Sequence, residues 1–377
     1  MHSKSSRPSF EQLEDRLVPA SVIASDAAHL IADINVANLA GGSNTIALVA
    51  NTTYTLAAAD NTTDGATGLP VIAANDNLTI IGNSATIARS TVSGTPAFRL
   101  LDVAAGASLT LQHLTLQGGW AMGGDVAADG TPTFNADGGA IFNQGTLDLA
   151  GVTVQNNLAQ GAPGVSVGGP GAAAAGGGIY SAGTLTLEDG TIVQNNQALG
   201  GQGVNGAPGG HVDHRSGSRL PPGDGGAGGA ASGGGLAVAG GTATLTNATL
   251  SGNSATGGNG GAGGDGVKDK TYPYGGGNGG AGGNGLGGGL AVTAGTVTLV
   301  NDVISANTAQ GGQGGTGGQG YFHPAGTNGA AGNGYGGAVS IDVAASLFLD
   351  TFTLGNVRKN HASSSSDNFF GAYSLLS

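Results

Sequence analysis

The chain has 377 residues, 78 of them Gly, with 12 Pro, no Cys and a formal net charge of −12. Glycine at this level without abundant proline excludes a collagen triple helix, and the lack of cysteine excludes disulfides and thiolate metal sites. With 11 Lys plus Arg against 23 Asp plus Glu, no continuous basic surface is available for nucleic acid, and no apolar run reaches the ~18 residues of a membrane span.

Residues 1–24 read as a segment outside the fold. The stretch "SRPSFEQLEDRLVPAS" (Ser6 to Ser21) has basic residues but lacks the apolar run of an ordinary secretion signal. Phe10 to Ala20, with Leu13, Glu14, Arg16, Leu17 and Pro19, resembles the planctomycete-type N-terminal signature of exported and surface proteins. The resemblance implies export, an extracellular or cell-surface location, and removal or disorder of the segment. Next, residues 25–42 predict a capping helix. Ser25 is placed as N-cap, Leu30, Ile31 and Ile34 lie on one face, and Gly41 and Gly42 stop the helix.

From Asn44 onward the chain is organised by a repeat. "NTIALVANTTYTL" (Asn44 to Leu56) reads as an irregular first turn, "LPVIAANDNLTIIGNSATIARS" (Leu69 to Ser90) as a divergent unit and "RLLDVAAGASLTLQHLTLQGG" (Arg99 to Gly119) as a variant. The clear form is "GGAIFNQGTLDLAGVTVQNN" at Gly138, which recurs at Gly176, Gly233, Gly287 and Gly336. Each unit predicts three short strands. Leu147 and Leu149 alternate with Thr146 and Asp148, placing the leucines on one face. The following strand repeats the pattern at Val152 and Val154, and in the last unit at Phe352 and Leu354. Gly151, Asp189, Asn247 and Asn301 stand between the two strands, where a sharp corner needs residues that tolerate a left-handed backbone.

A unit of about 20 residues cannot bury its own apolar face, whereas a stack of such units can. The reading is an all-β chain: a right-handed parallel β-helix of about eight coils over residues 25–360, roughly 40 Å long at ~4.8 Å per coil. Leu149, Leu187, Leu245, Leu299 and Leu349 would form an inner ladder, and Asn157, Asn196, Asn253 and Asn307 a corner ladder of side-chain amides. The tail, residues 361–377, reads as a loose cap or a frayed end. The unit is similar to the polymorphic outer-membrane-protein repeat and to pectin-lyase-like β-helix proteins of bacterial surfaces. That resemblance implies export and adhesion.

Ile141, Ile179, Leu236, Leu290 and Val339 are 38, 57, 54 and 49 residues apart, and the excess always follows the Asn-x-Ala corner. It makes Gly-rich insertions at one corner, over residues 120–137, 158–175, 197–232, 254–286 and 308–335. Their Gly-Gly-x composition fits either flexible chain or extended, polyproline-like runs lying side by side. The longest three carry non-glycine centres: "HVDHRSGSRLPP", "VKDKTYPY" and "YFHP". His211, His214, Arg215, Lys268, Lys270, Tyr272, Tyr274, Tyr321, Phe322 and His323 are therefore the candidate ligand-binding residues, because cations and aromatics on loops held by a rigid scaffold form binding surfaces.

"GGAGGDGVK" (Gly260 to Lys268) and "GGAGGNGLG" (Gly279 to Gly287) fit a calcium-turn repeat, making Asp265 and Asn284 candidate ligands. The copies are not in tandem, however, and a Gly-Gly-x run generates the pattern by composition, so no cofactor is expected. His211, Asp213 and His214 offer metal-ligand types in a loop without visible support. Polysaccharide cleavage would need paired carboxylates on one sheet. The outward series Thr110, Asp148, Thr186, Thr244, Thr298 contains one acid, and Glu188 with Asp189 belongs to the next corner. The expectation is a structural or adhesive scaffold binding extracellular polysaccharide or cell-surface polymers, with a carbohydrate-active enzyme using Asp148, Glu188 and Asp189 as the alternative.

Overall fold

The computed structural model describes residues 21–123, 136–211, 219–268 and 274–376. Residues 1–20, with the N-terminal stretch Phe10 to Ala20, lie outside them, but Ser21–Ala24, read from the sequence as outside the fold, is a strand paired with Thr45 to Leu48, and Ala24 is buried. The described chain forms a parallel β-helix. Its longest sheet has ten strands, from Ser21–Ala24 to Ser374–Leu375, stacked strictly in sequence order and all parallel. Sheets of eight, seven, six and five strands run beside it, so the coil is larger than the three-strand unit read from the sequence. The two extra strands, such as Leu158–Gln160 and Ala174–Ala175, lie at the first and last residues of each insertion. Their small residues hide the strand signal, because alanine gives no apolar alternation.

The expected leucine ladder is in register. Leu149 pairs with Leu187, Leu187 with Leu245, Leu245 with Leu299 and Leu299 with Leu349, every one buried. Burial of one such side chain is worth about 1.5–3 kcal/mol, so this column and its neighbours carry the main core. A second, smaller core holds only Ala136, Ala159, Ala174, Ala198, Ala231 and Ala255, between the five- and six-stranded sheets. The thinness of that core brings the two sheets close together at the base of the insertions.

Corners are built as the sequence implied. Gly151, Asp189, Asn247 and Asn301 have φ of 62°, 52°, 54° and 56°. At the other corner the buried asparagines bond in series. Asn157 Nδ2 donates to Asn196 Oδ1 at 2.9 Å, Asn196 Nδ2 to Asn253 Oδ1 at 3.1 Å and Asn253 Nδ2 to Asn307 Oδ1 at 3.0 Å. The column extends one coil further, to Asn360.

Three local expectations are corrected. The capping helix α1 spans Ala27–Ala40, and its N-cap is Asp26, whose side chain accepts from the His29 N–H; Ser25 instead bonds the His29 ring. The helix closes the core end with Leu30, Ile34 and Ala37, while Ile31 is only half-buried. Phe352 and Leu354 are not in a strand. They belong to a helical turn, α2 (Thr351–Gly355), because Asp350 caps the Thr353 N–H and redirects the chain. Phe352 is consequently exposed. The tail is not frayed: Phe369–Phe370 and Ser374–Leu375 add a partial ninth coil, in parallel with Val339–Ser340 and Phe348–Leu349.

Candidate functional site

The glycine insertions adopt the extended alternative. Each long one leaves the six-stranded sheet, runs out, turns and returns to the five-stranded sheet. Hydrogen bonding has a three-residue period, which is the repeat of polyproline II. In the outbound run beginning at Gly257, Gly257, Gly260, Gly263 and Gly266 donate to Gln310, Gln313, Thr316 and Gln319 of the next coil's outbound run. Gly258, Gly261 and Gly264 donate instead to Gly229, Gly226 and Gly223 of the returning layer. At several third positions the N–H is served by a side chain: Asn205 Oδ1 accepts from Ala262 N at 2.9 Å and Asn259 Oδ1 from Gln313 N at 2.8 Å. In the triplet Gly260, Gly261 and Ala262 all three N–H groups are thereby used. The outbound and returning layers thus form a two-layer fin standing on one edge of the rod. At Gly200, Gly258 and Gly283 a Cβ would overlap a neighbouring backbone, so glycine is required where another run packs alongside.

This order fixes the tips of the third, fourth and fifth insertions against one another. Gly209 N donates to Asp265 O at 2.8 Å and Gly266 N to Gln319 O at 2.7 Å. Between them lies an open hollow of about 350 Å³, lined by Pro208, Asp265, Val267, Lys268 and Tyr321. Lys268 Nζ stands 4.6 Å from the centroid of the Tyr321 ring, a cation over an aromatic face contributed by the next coil. Tyr321 and Phe322 are exposed, at 37% and 52%, and His323 is half-buried. Tyr274 begins the returning run of the fourth insertion and is half-buried. His211 pairs with Arg219 in a short antiparallel bridge at the third tip. His214, Arg215, Lys270 and Tyr272, and Asp213 with them, lie outside the described residues.

The structure separates the other candidates. Asp265 Oδ1 accepts from Gln319 N at 2.9 Å and Asn284 Oδ1 from Asn333 N at 2.8 Å, so both serve the fin's own hydrogen-bond pattern. They lie toward opposite ends of one hairpin, since Gly264 pairs with Gly277 near the tip and Gly258 with Gly283 near the root. Among the described residues no group of three His, Asp or Glu is placed to hold a metal ion. Asp148 faces Thr110 on one side and Thr186 on the other, Glu188 is in register with Ala150, and Asp189 occupies a left-handed corner.

Two features escaped the sequence reading. An uncharged groove of about 440 Å³ crosses the outbound layer near its root, lined by Gln160, Pro163, Leu199, Gln202, Thr256 and Asn259. The three-residue spacing of polar residues between glycines is the signal that locates it. The second is a buried cluster. Arg99 donates to Asp64 O at 2.7 Å, stacks 4.8 Å from the Phe142 ring centroid and lies 3.9 Å from Asp102. Burial pushes the Asp102 and Asp137 carboxyls up to about 6, against the pull of the Arg99 cation. No local sequence pattern announces this cluster, because Asp64, Asp137 and Phe142 lie far along the chain from Arg99 and Asp102.

No protein-family model matches the chain, and no curated protein matches it significantly.

Proposed function

We propose that the protein is an exported, cell-surface scaffold that binds extracellular glycans or cell-surface polymers at the tips of its glycine fin. The carrying observation is the hollow where Lys268 and Tyr321, from successive coils, meet on a backbone-ordered support. An exposed aromatic face stacks on the apolar face of a sugar ring, while Lys268 and Asp265 offer a donor and an acceptor at its rim. Order in the fin lowers the entropic cost of binding, because the tips are held before a ligand arrives. The N-terminal signature and the likeness of the repeat to polymorphic outer-membrane-protein and pectin-lyase-like surface proteins support the location. A scaffold rather than an enzyme is favoured because Asp148 has threonines, not carboxylates, above and below it.

A glycan array probed with the wild-type protein and with Tyr321→Ala tests the reading. Binding by the wild type that falls at least about tenfold in the variant, a loss of about 1.4 kcal/mol, is expected. Equal binding by both proteins, or none by the wild type, rejects the fin tip as the site.

A further inference from the structure

We propose that the outer face of the ten-stranded sheet is an ice-binding surface. In its eight central strands, two outward columns run the length of the rod. One is Ser43, Asn77, Ser108, Thr146, Thr184, Thr242, Thr296 and Ser346. The other, two residues further along each strand, is Thr45, Thr79, Thr110, Asp148, Thr186, Thr244, Thr298 and Phe348. Ten of these positions are Thr and three are Ser, with a single charge at Asp148.

Strand propensity alone does not produce this. Threonine favours strands, but so do Val, Ile and Tyr, which are missing from both columns. The next outward column on the same strands is an internal control: Ala47, Ile81, Gln112, Ala150, Glu188, Thr246 and Val300 are chemically mixed. The threonine hydroxyls are also unused by the fold. Among the described residues none of the ten hydrogen-bonds within the chain, whereas the amides of Gln117, Gln155 and Gln194 on the adjacent sheet bond one another. The face therefore presents hydroxyl and methyl groups in rows, nearly without charge. Charge complementarity selects an uncharged partner, and the two-dimensional regularity selects one that repeats.

The spacing along the rod is close to that of a water lattice. Hydrogen-bonded water oxygens lie ~2.8 Å apart, so tetrahedral geometry sets second neighbours at about 4.5 Å and the repeat across puckered layers at about 7.4 Å. Parallel strands place threonines ~4.8 Å apart along the rod, and alternate residues ~6.6 Å apart along a strand. The mismatch of about 0.3 Å per coil stays under 1 Å across the three coils of the unbroken block Thr184, Thr186, Thr242, Thr244, Thr296 and Thr298. Across the strands there is only one step, so that difference does not accumulate. Rigid stacking of coils holds the hydroxyls on this lattice, with little ordering left to do on contact with ice.

The test is thermal hysteresis and ice shaping by the purified full chain. The wild type should depress the freezing point below the melting point and facet growing crystals. Thr244→Tyr, a bulky interruption at the centre of the block, should lose most of that gap. Thr186→Val combined with Thr244→Val keeps the shape and strand propensity, and should also reduce it, which covers a folding failure of the tyrosine variant. Ser251→Tyr on the neighbouring sheet and Tyr321→Ala at the fin tip should leave it unchanged, so failure of the glycan reading is distinguishable from failure of this one. Wild-type protein without hysteresis, or a Thr244→Tyr protein that folds and retains all of it, overturns the proposal.

Discussion

At the Asn253 corner one coil is tied to its neighbours by a buried side-chain amide; further along the same coil, at Gly283, the tie is backbone to backbone with no side chain between. The body of the rod is a conventional interior, with ladders of Leu, Ile and Val and one column of amides. The fin has almost nothing to bury. An ordered glycine costs about 0.5–1 kcal/mol relative to alanine, and a hydrogen bond returns about 1 kcal/mol net. Order in the fin therefore depends on the hydrogen bonds of the glycine N–H groups and on the close approach that only glycine permits. Composition alone reads such a segment as flexible; its third-residue asparagines and the rigid rod at its base hold it in place.

Four experiments sharpen this contrast. The largest effect is expected at the buried corner. Asn253→Ala leaves the Asn196 N–H without a partner in the interior and removes the buried bonds to the Asn196 side-chain amide, the Val193 carbonyl and Asn307 Oδ1. With one buried orphan at about 1–3 kcal/mol and the other lost bonds at about 1 kcal/mol each, it should cost at least about 2 kcal/mol in denaturant unfolding. The matching change in the fin, Asn259→Ala, exposes the Gln313 N–H to water and should cost under about 1 kcal/mol. Equal losses would remove the distinction between the two ladders.

Next comes the steric requirement. Gly258→Ala places a methyl group on the Gly201 carbonyl and should cost about 1–3 kcal/mol, with faster hydrogen exchange throughout the fin and little change in the rod. Ala281→Ser, at an outward third position, should be neutral within about 0.5 kcal/mol.

A third effect belongs to the rod. Burial raises Asp302 to about 7, while Asp102 and Asp137 lie at about 6, against an ordinary value of 3.8. The native state then holds protons that the unfolded chain releases. Stability should fall as the pH rises from about 4 to about 7, and the melting temperature should follow. Asp302 accepts from Ala248 N at 2.7 Å and Val300 N at 3.0 Å, and Asp302→Asn should flatten the upper part of that window. A melting temperature that increases across this range would contradict the assignment. A small change is also expected from Lys268→Ala at the fin tip, within about 1 kcal/mol in unfolding, because an exposed cation–aromatic contact is weak.

Much of the body was legible. Period-two leucines, corner residues at fixed offsets and the recurring Asn each report a local requirement, so Leu149 to Leu349 and Asn157 to Asn307 could be placed from spacing alone. The strands at Leu158–Gln160 and Ala174–Ala175 could not, because alanine and glycine carry no alternation. Nor could the turn at Thr351–Gly355, where a cap at Asp350 outweighs a pattern of apolar residues suited to a strand. Of the tip residues, the sequence identified Lys268 and Tyr321 as candidates, and the fold supplied their contact.

The sequence by itself determined the β-helix, its coil count and the corner from which the glycine segments emerge, since each follows from periodicity within one unit. Only the tertiary structure decided that the described parts of those segments are ordered, which side chains meet at their tips and that a second outward column of threonines stands in register beside the one read from the sequence. Those properties depend on register between coils 38 to 57 residues apart. That register is set by packing and backbone hydrogen bonds between neighbouring coils, which no single unit contains.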